Sequence, residues 1–138
     1  MQATSLIEKF RAQLQKALAH LEYSATKVRT LSSDPALLDE ESLEAWEGFV
    51  ARFSRTTDIF LMKFIRAKIR AADPGFRGTF RDMLDEAEKF GYIDSADTWF
   101  KMRELRNEAV HEYPELLESL FTRFRANVDT ILAIKRLI

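Results

Sequence analysis

Very little in this chain would stop a helix. Its 138 residues hold only four glycines and three prolines. These breakers fall between segments whose apolar residues recur at three- and four-residue spacing, which is the rhythm of a helix with one buried face. No alternating apolar and polar run is long enough to make a sheet. The expected fold is therefore all-α: an up-and-down bundle of four to five helices, forming a single domain over residues 1–138. A chain of this length can bury a real core without staples, and it contains no cysteine to make any.

The spacing predicts a first helix from about Thr4 to Thr30, with Leu6, Phe10, Leu14, Leu18 and Leu21 on its stripe. Ser32-Ser33-Asp34-Pro35 ends it. A second helix begins near Asp39 or Ser42 and runs to about Ala72, before Asp73-Pro74-Gly75. Its stripe is Trp46, Phe49, Val50, Phe53, Phe60 and Phe64, and Leu61 and Ile65 widen it enough to meet more than one neighbour. Thr79 is a natural N-cap and Gly91 a natural C′ residue for a short third helix. Asp94 or Ser95 caps a fourth, which passes through Trp99, Met102 and Leu105 to about Glu112. Pro114 suits the first turn of a fifth, carrying Leu117, Leu120, Phe121, Phe124, Val128, Ile131 and Leu132.

The absence of cysteine removes disulfides, thiolate zinc sites and cysteine nucleophiles together. No stretch approaches the roughly 20 apolar residues that span a bilayer, and Glu8, Lys9 and Arg11 stand where an export signal would be apolar. A cytoplasmic protein with no membrane partner is expected. The formal net charge is −1, so any contact with nucleic acid must be local. The charge is uneven. Arg52, Arg55, Lys63, Arg66, Lys68, Arg70, Arg77 and Arg81 face only Asp58 and Asp73 across residues 52–81, while Asp39, Glu40, Glu41, Glu44 and Glu47 gather just upstream. Such runs read either as solvated helix faces or as a basic strip that meets phosphate.

Only two histidines are present. His20, between Ala19 and Leu21, has nothing near it in sequence that marks a site and reads as structural or incidental. His111 sits in Arg106-Asn107-Glu108-Ala109-Val110-His111-Glu112-Tyr113. With Met102 at the centre of the buried stripe and about 100° per residue, Arg106 falls about 40° from that centre and His111 near 180°. Asn107 and Phe100 fall within about 40° of His111. The helix end favours an imidazolium, as do Glu108 and Glu112, whereas Arg106 opposes it. Attack of a 2′-hydroxyl on its neighbouring phosphate needs a proton acceptor, a proton donor and a cation. Histidine suits the proton transfers and arginine the phosphate oxygens, and no metal is required. One histidine serves one proton role at a time, so this chemistry predicts a homodimer that brings two copies into one cleft. Nothing in the sequence matches HExxH, a Gly-rich phosphate loop or Gly-x-Ser-x-Gly, and no cofactor or metal site is expected.

Arg106-Asn107-x3-His111-x-Tyr113 resembles the Arg-x4-His-x-Tyr signature of the HEPN superfamily, and most closely its HepT-like branch, the nucleotidyltransferase substrate-binding proteins. Asp58-Ile59-Phe60-Leu61-Met62-Lys63 resembles that family's second-helix segment. Phe80 to Phe90, Gly91-Tyr92-Ile93-Asp94 and Trp99 to Arg106 resemble its run into the motif. The likeness covers about Trp46 to the C-terminus. It implies a dimerising helical bundle with the motif at the interface and metal-independent RNA cleavage. It also implies a toxin–antitoxin pair with a minimal nucleotidyltransferase as antitoxin, which can transfer AMP to the motif tyrosine. Carried onto this chain, Arg106 and His111 are catalytic, Asn107 supports them and Tyr113 is the AMP acceptor. In the alternative, the chain is a non-catalytic nucleotidyltransferase substrate-binding subunit.

Overall fold

A computed structural model describes the backbone of residues 3–111 and 117–138, and the side chains of 4–110 and 117–138. It contains α1 (Ala3–Val28), α2 (Glu40–Asp58), α3 (Arg66–Ala72), α4 (Phe80–Lys89), α5 (Ala96–His111) and α6 (Leu117–Leu132). A π-helical stretch, Ile59–Ile65, joins α2 to α3 without a break, so the two form one rod. No strand occurs among the described residues.

Local chemistry sets most of the ends. The Asp39 carboxylate accepts from the Ser42 backbone N–H at 2.8 Å and starts α2. Thr79 and Asp82 exchange side-chain and backbone bonds in a capping box that starts α4. Gly91, at φ +77°, ends that helix in the left-handed region that side-chain-bearing residues avoid. At α5, Ser95 Oγ accepts from Thr98 N–H at 3.2 Å and a Glu88 carboxylate oxygen accepts from Ala96 N–H at 2.8 Å.

The α2–α3 rod is the centre of the bundle. It runs antiparallel to α1, since Arg52 reaches Ser24 and Thr56 reaches Ala17. It is also antiparallel to α5, where Phe60 meets Trp99 at 4.7 Å between ring centroids. Helix α6 lies antiparallel to α1, with Arg125 donating to the carbonyls of Val28 and Leu31 and Lys135 paired with Glu22. Thus α1, α2–α3, α5 and α6 go up, down, up and down, and α4 packs on α3 and α5.

Large side chains fill the middle. Trp46 stacks on Phe121 at 4.6 Å, and its indole N–H donates to the Ser32 carbonyl at 2.8 Å. Phe53 meets Phe124 at 4.4 Å. Trp46, Phe49, Phe53, Phe60, Phe64, Phe121 and Phe124 are all fully buried, and burying each such ring stabilises the fold by about 2–3 kcal/mol. In the π stretch Ile59, Phe60, Leu61, Phe64 and Ile65 are buried. That is a wider apolar face than one α-helical stripe, as the spacing of Leu61 and Ile65 anticipates.

Candidate functional site

Helix α5 carries the motif. Trp99, Met102 and Leu105 are buried, which fixes the helix's rotation. Arg106, one residue beyond this stripe, is then half-buried and points toward the rod. Its Nε donates to the Asp58 carboxylate oxygens at 2.9 and 3.0 Å, and its Nη2 donates to Oδ2 at 2.7 Å. Arg103, one turn earlier, donates from Nη1 to Asp58 Oδ1 at 2.6 Å. One carboxylate therefore holds two guanidiniums, at side-chain exposures of 33% for Asp58, 27% for Arg103 and 24% for Arg106. The planar fork of Arg106 is fixed by this two-oxygen grip. Its Nη1 makes no hydrogen bond among the described residues.

Asn107 is exposed on the same helix. His111 ends α5, and its side chain lies outside the described residues, as does Tyr113 with the segment 112–116. Phe100, expected on the His111 face, is half-buried. Its ring lies 6.3 Å from that of Phe80 and 5.6 Å from the Arg81 guanidinium. Packing of α4 on α5 claims that aromatic face. Glu108 leaves the motif for Arg123 of α6, at 2.5 Å.

Two grooves meet at Arg106. One, about 810 Å³, follows the seam of α1 and α2 and is lined by Lys16, His20, Arg52, Arg55, Asp58, Lys63 and Arg106 among others. The second, about 520 Å³, is mainly apolar and includes Leu43, Val50, Ala109, Val110, Leu117 and Leu120. Ala51, Ser54 and Arg106 line both and form the ridge between them. Ser54 Oγ is buried there without a hydrogen-bond partner among the described residues. Val110 is 63% exposed, a large apolar side chain left in solvent beside the motif.

The basic run of residues 52–81 is not one strip. Arg52, Arg55 and Lys63 face the first groove. Arg66 and Arg70 turn toward a smaller one beside Leu6 and Phe10. Lys68 packs over Tyr92 at 4.2 Å, where burial, and then Arg11, hold its pKa below the usual lysine range. Arg81 pairs with Asp97 at 2.6 Å, a hydrogen bond that raises its pKa further. Lys68 and Arg81 thus pack or pair within the fold. In exchange, α1 contributes Lys16 and His20, which the sequence did not connect to any site. The four-residue step between them, with Gln13 and Ala17 on the same face, was the available signal. Asp58 was legible only as part of a resembling segment. Its pairing spans 45 and 48 residues of sequence.

No group of three or more His, Cys, Asp or Glu side chains among the described residues is placed to hold a metal ion. No described helix is long and apolar enough to cross a membrane. No protein-family model, curated protein or solved structure matches the chain. The functional reading therefore rests on the residues and their geometry.

Proposed function

We propose that the chain is a HepT-like HEPN ribonuclease, the toxin of a pair whose antitoxin is a minimal nucleotidyltransferase, and that it cleaves RNA without a metal in the cytoplasm. The observation that carries this reading is the position of Arg106. Its guanidinium stands on the ridge between a cationic groove and an apolar one, gripped by Asp58 along one edge, five residues ahead of His111 on α5.

Arg106 stabilises the charge that develops on the phosphate through the edge Asp58 leaves open. His111 of one copy takes the proton from the attacking 2′-hydroxyl, and His111 of the second copy gives a proton to the leaving 5′-oxygen. Five residues along an α-helix turn through about 140°, so the two positions fall on different faces of α5. A two-fold pairing that sets α5 against its mate brings two arginines and two histidines into one cleft. The apolar groove and the exposed Val110 support an interface beside the motif. Asn107 supports His111 from one turn earlier. AMP on Tyr113 would add bulk and negative charge beside the cleft and so silence it.

The same groove favours a second reading, in which the chain is a non-catalytic subunit that docks on the nucleotidyltransferase. The test is growth of cells expressing the chain alone, beside its His111→Ala variant at matched soluble levels. It is paired with cleavage of labelled RNA by the purified proteins in a chelator. Arrest and cleavage by the native chain only are the expected result. Cleavage that survives in the variant overturns the assignment, and no arrest with a stable nucleotidyltransferase complex selects the second reading.

A further inference from the structure

The seam groove carries more positive charge than the fold has use for. Lys16, Arg52, Arg55, Lys63 and Arg106 line it against a single carboxylate, Asp58, which is already engaged by Arg103 and Arg106. Elsewhere several surface cations have carboxylate partners. Arg11 pairs with Glu8, Arg29 with Asp129, Lys135 with Glu22 and Arg136 with Asp94. In the groove, Lys16 and Arg55 are exposed and make no ion pair among the described residues. Lys63 is exposed over the Phe10 ring. Arg52 donates only to neutral oxygens, the His20 carbonyl at 3.1 Å and Ser24 Oγ at 2.9 Å. A chain with a net charge of −1 has carboxylates to spare. A single-sign groove costs self-repulsion, so it fits an anionic ligand.

The cations of the groove are spread along the rod. Arg52 and Lys63 are eleven residues apart on the rod, about 16 Å by helical rise, with Lys16 and His20 opposite them on α1 and Arg106 on the α5 side. That arrangement suits several phosphates in series. We propose that the α1–α2 groove is the track for a single-stranded RNA segment. In it, Lys16, Arg55 and Lys63 hold backbone phosphates outside the scissile one, and His20 contacts the strand beside Arg52. The inference rests on the ribonuclease reading for its ligand class and adds where the strand lies. His20 is then a binding residue with an exposed ring, able to donate to a phosphate or to stack on an unpaired base.

The experiment uses the full chain carrying His111→Ala, so that RNA is bound without being cut, and a fluorescently labelled single-stranded RNA read by anisotropy across a salt series. Lys16→Gln, Arg55→Gln and Lys63→Gln are combined in one variant. Lys89→Gln, Lys101→Gln and Lys135→Gln, which lie elsewhere on the surface, form a control of equal charge. Each lost phosphate contact lowers the slope of log affinity against log salt by about 0.7 for a single strand, so the groove variant should lose about 2 from its slope and bind at least about tenfold more weakly at low salt. The control should lose much less. Equal loss in both variants, unchanged binding in the groove variant, or no binding by the parent overturns the proposal. Cleavage by the native chain with unchanged binding in the groove variant sinks the track and leaves the ribonuclease standing. Groove-dependent binding without cleavage by the native chain does the reverse.

Discussion

Replacing Asp58 with alanine takes one carboxylate away from two guanidiniums at once. Arg103 and Arg106 would keep their charges, lose their shared acceptor and face each other on adjacent turns of α5. The cost follows from the burial. An exposed ion pair is worth at most about 1 kcal/mol, and breaking a fully buried one costs about 3–5 kcal/mol. This cluster lies between, at a quarter to a third side-chain exposure, and it is held by four short charge-assisted bonds. The expected loss is about 2–3 kcal/mol, a fall of roughly 6–12 °C in Tm. Urea unfolding followed by circular dichroism reads it as a lower midpoint at unchanged slope. Asp58→Asn, which keeps an acceptor, should lose less. Arg103→Met placed on top of Asp58→Ala removes one stranded cation and should recover about 1 kcal/mol. If Asp58→Ala unfolds within about 0.5 kcal/mol of the parent, or if Arg103→Met adds to the damage, Asp58 is not what holds Arg106 and the orienting role assigned to it fails.

Gly91→Ala places a Cβ at φ +77°. Nothing lies within 4 Å of that atom, so the loss of about 1 kcal/mol should come from backbone strain alone, and Gly91→Asn should lose less in the same melt. At the start of α2, hydrogen bonds from Ser42 hold the Asp39 carboxyl below the usual carboxylate range. A group depressed by folding contributes stability above its unfolded value, so that contribution should fade as pH falls below about 4. Asp39→Ala should melt lower than the parent at pH 7, with the gap closing in acid. A gap that is constant down to pH 2 would refute the cap.

The ends of the helices were readable because they depend on residues close in sequence. Asp39, Thr79 and Gly91 each act within four positions of the end they set, and the spacing of Trp99, Met102 and Leu105 fixed the rotation of α5. The site was readable only in part, because the partner of Arg106 depends on how α5 crosses the rod. Asp58 meets Arg106 through packing of Phe60 on Trp99, a contact no local pattern encodes. The two readings of the basic run could not be separated for the same reason. Residues 52–81 are continuous in sequence, yet the rod, the turn at Asp73 and α4 point them in several directions, and the groove draws its cations from α1 as well. Phe100 lay on the open side of a single-helix wheel, and α4 covers it.

The π stretch at Ile59–Ile65 makes the rod a splice between two helices of different phase. Ahead of it, α2 is locked by Trp46 and Phe53 against α6 and by Asp58 against α5. Beyond it, α3 answers to α1 and α4. In an uninterrupted α-helix Asp58 and Lys63 would diverge by about 140°; the wider turn, whose hydrogen bonds join residues five apart, narrows that angle, and both residues line the same groove. Removing a single residue from this stretch would restore regular hydrogen bonding and rotate everything downstream by on the order of 100°. The helix itself would lose nothing, but the molecule would have to give up either the Asp58 cluster or the seating of α3. The irregular turn is where two separately anchored halves of the bundle are kept in step.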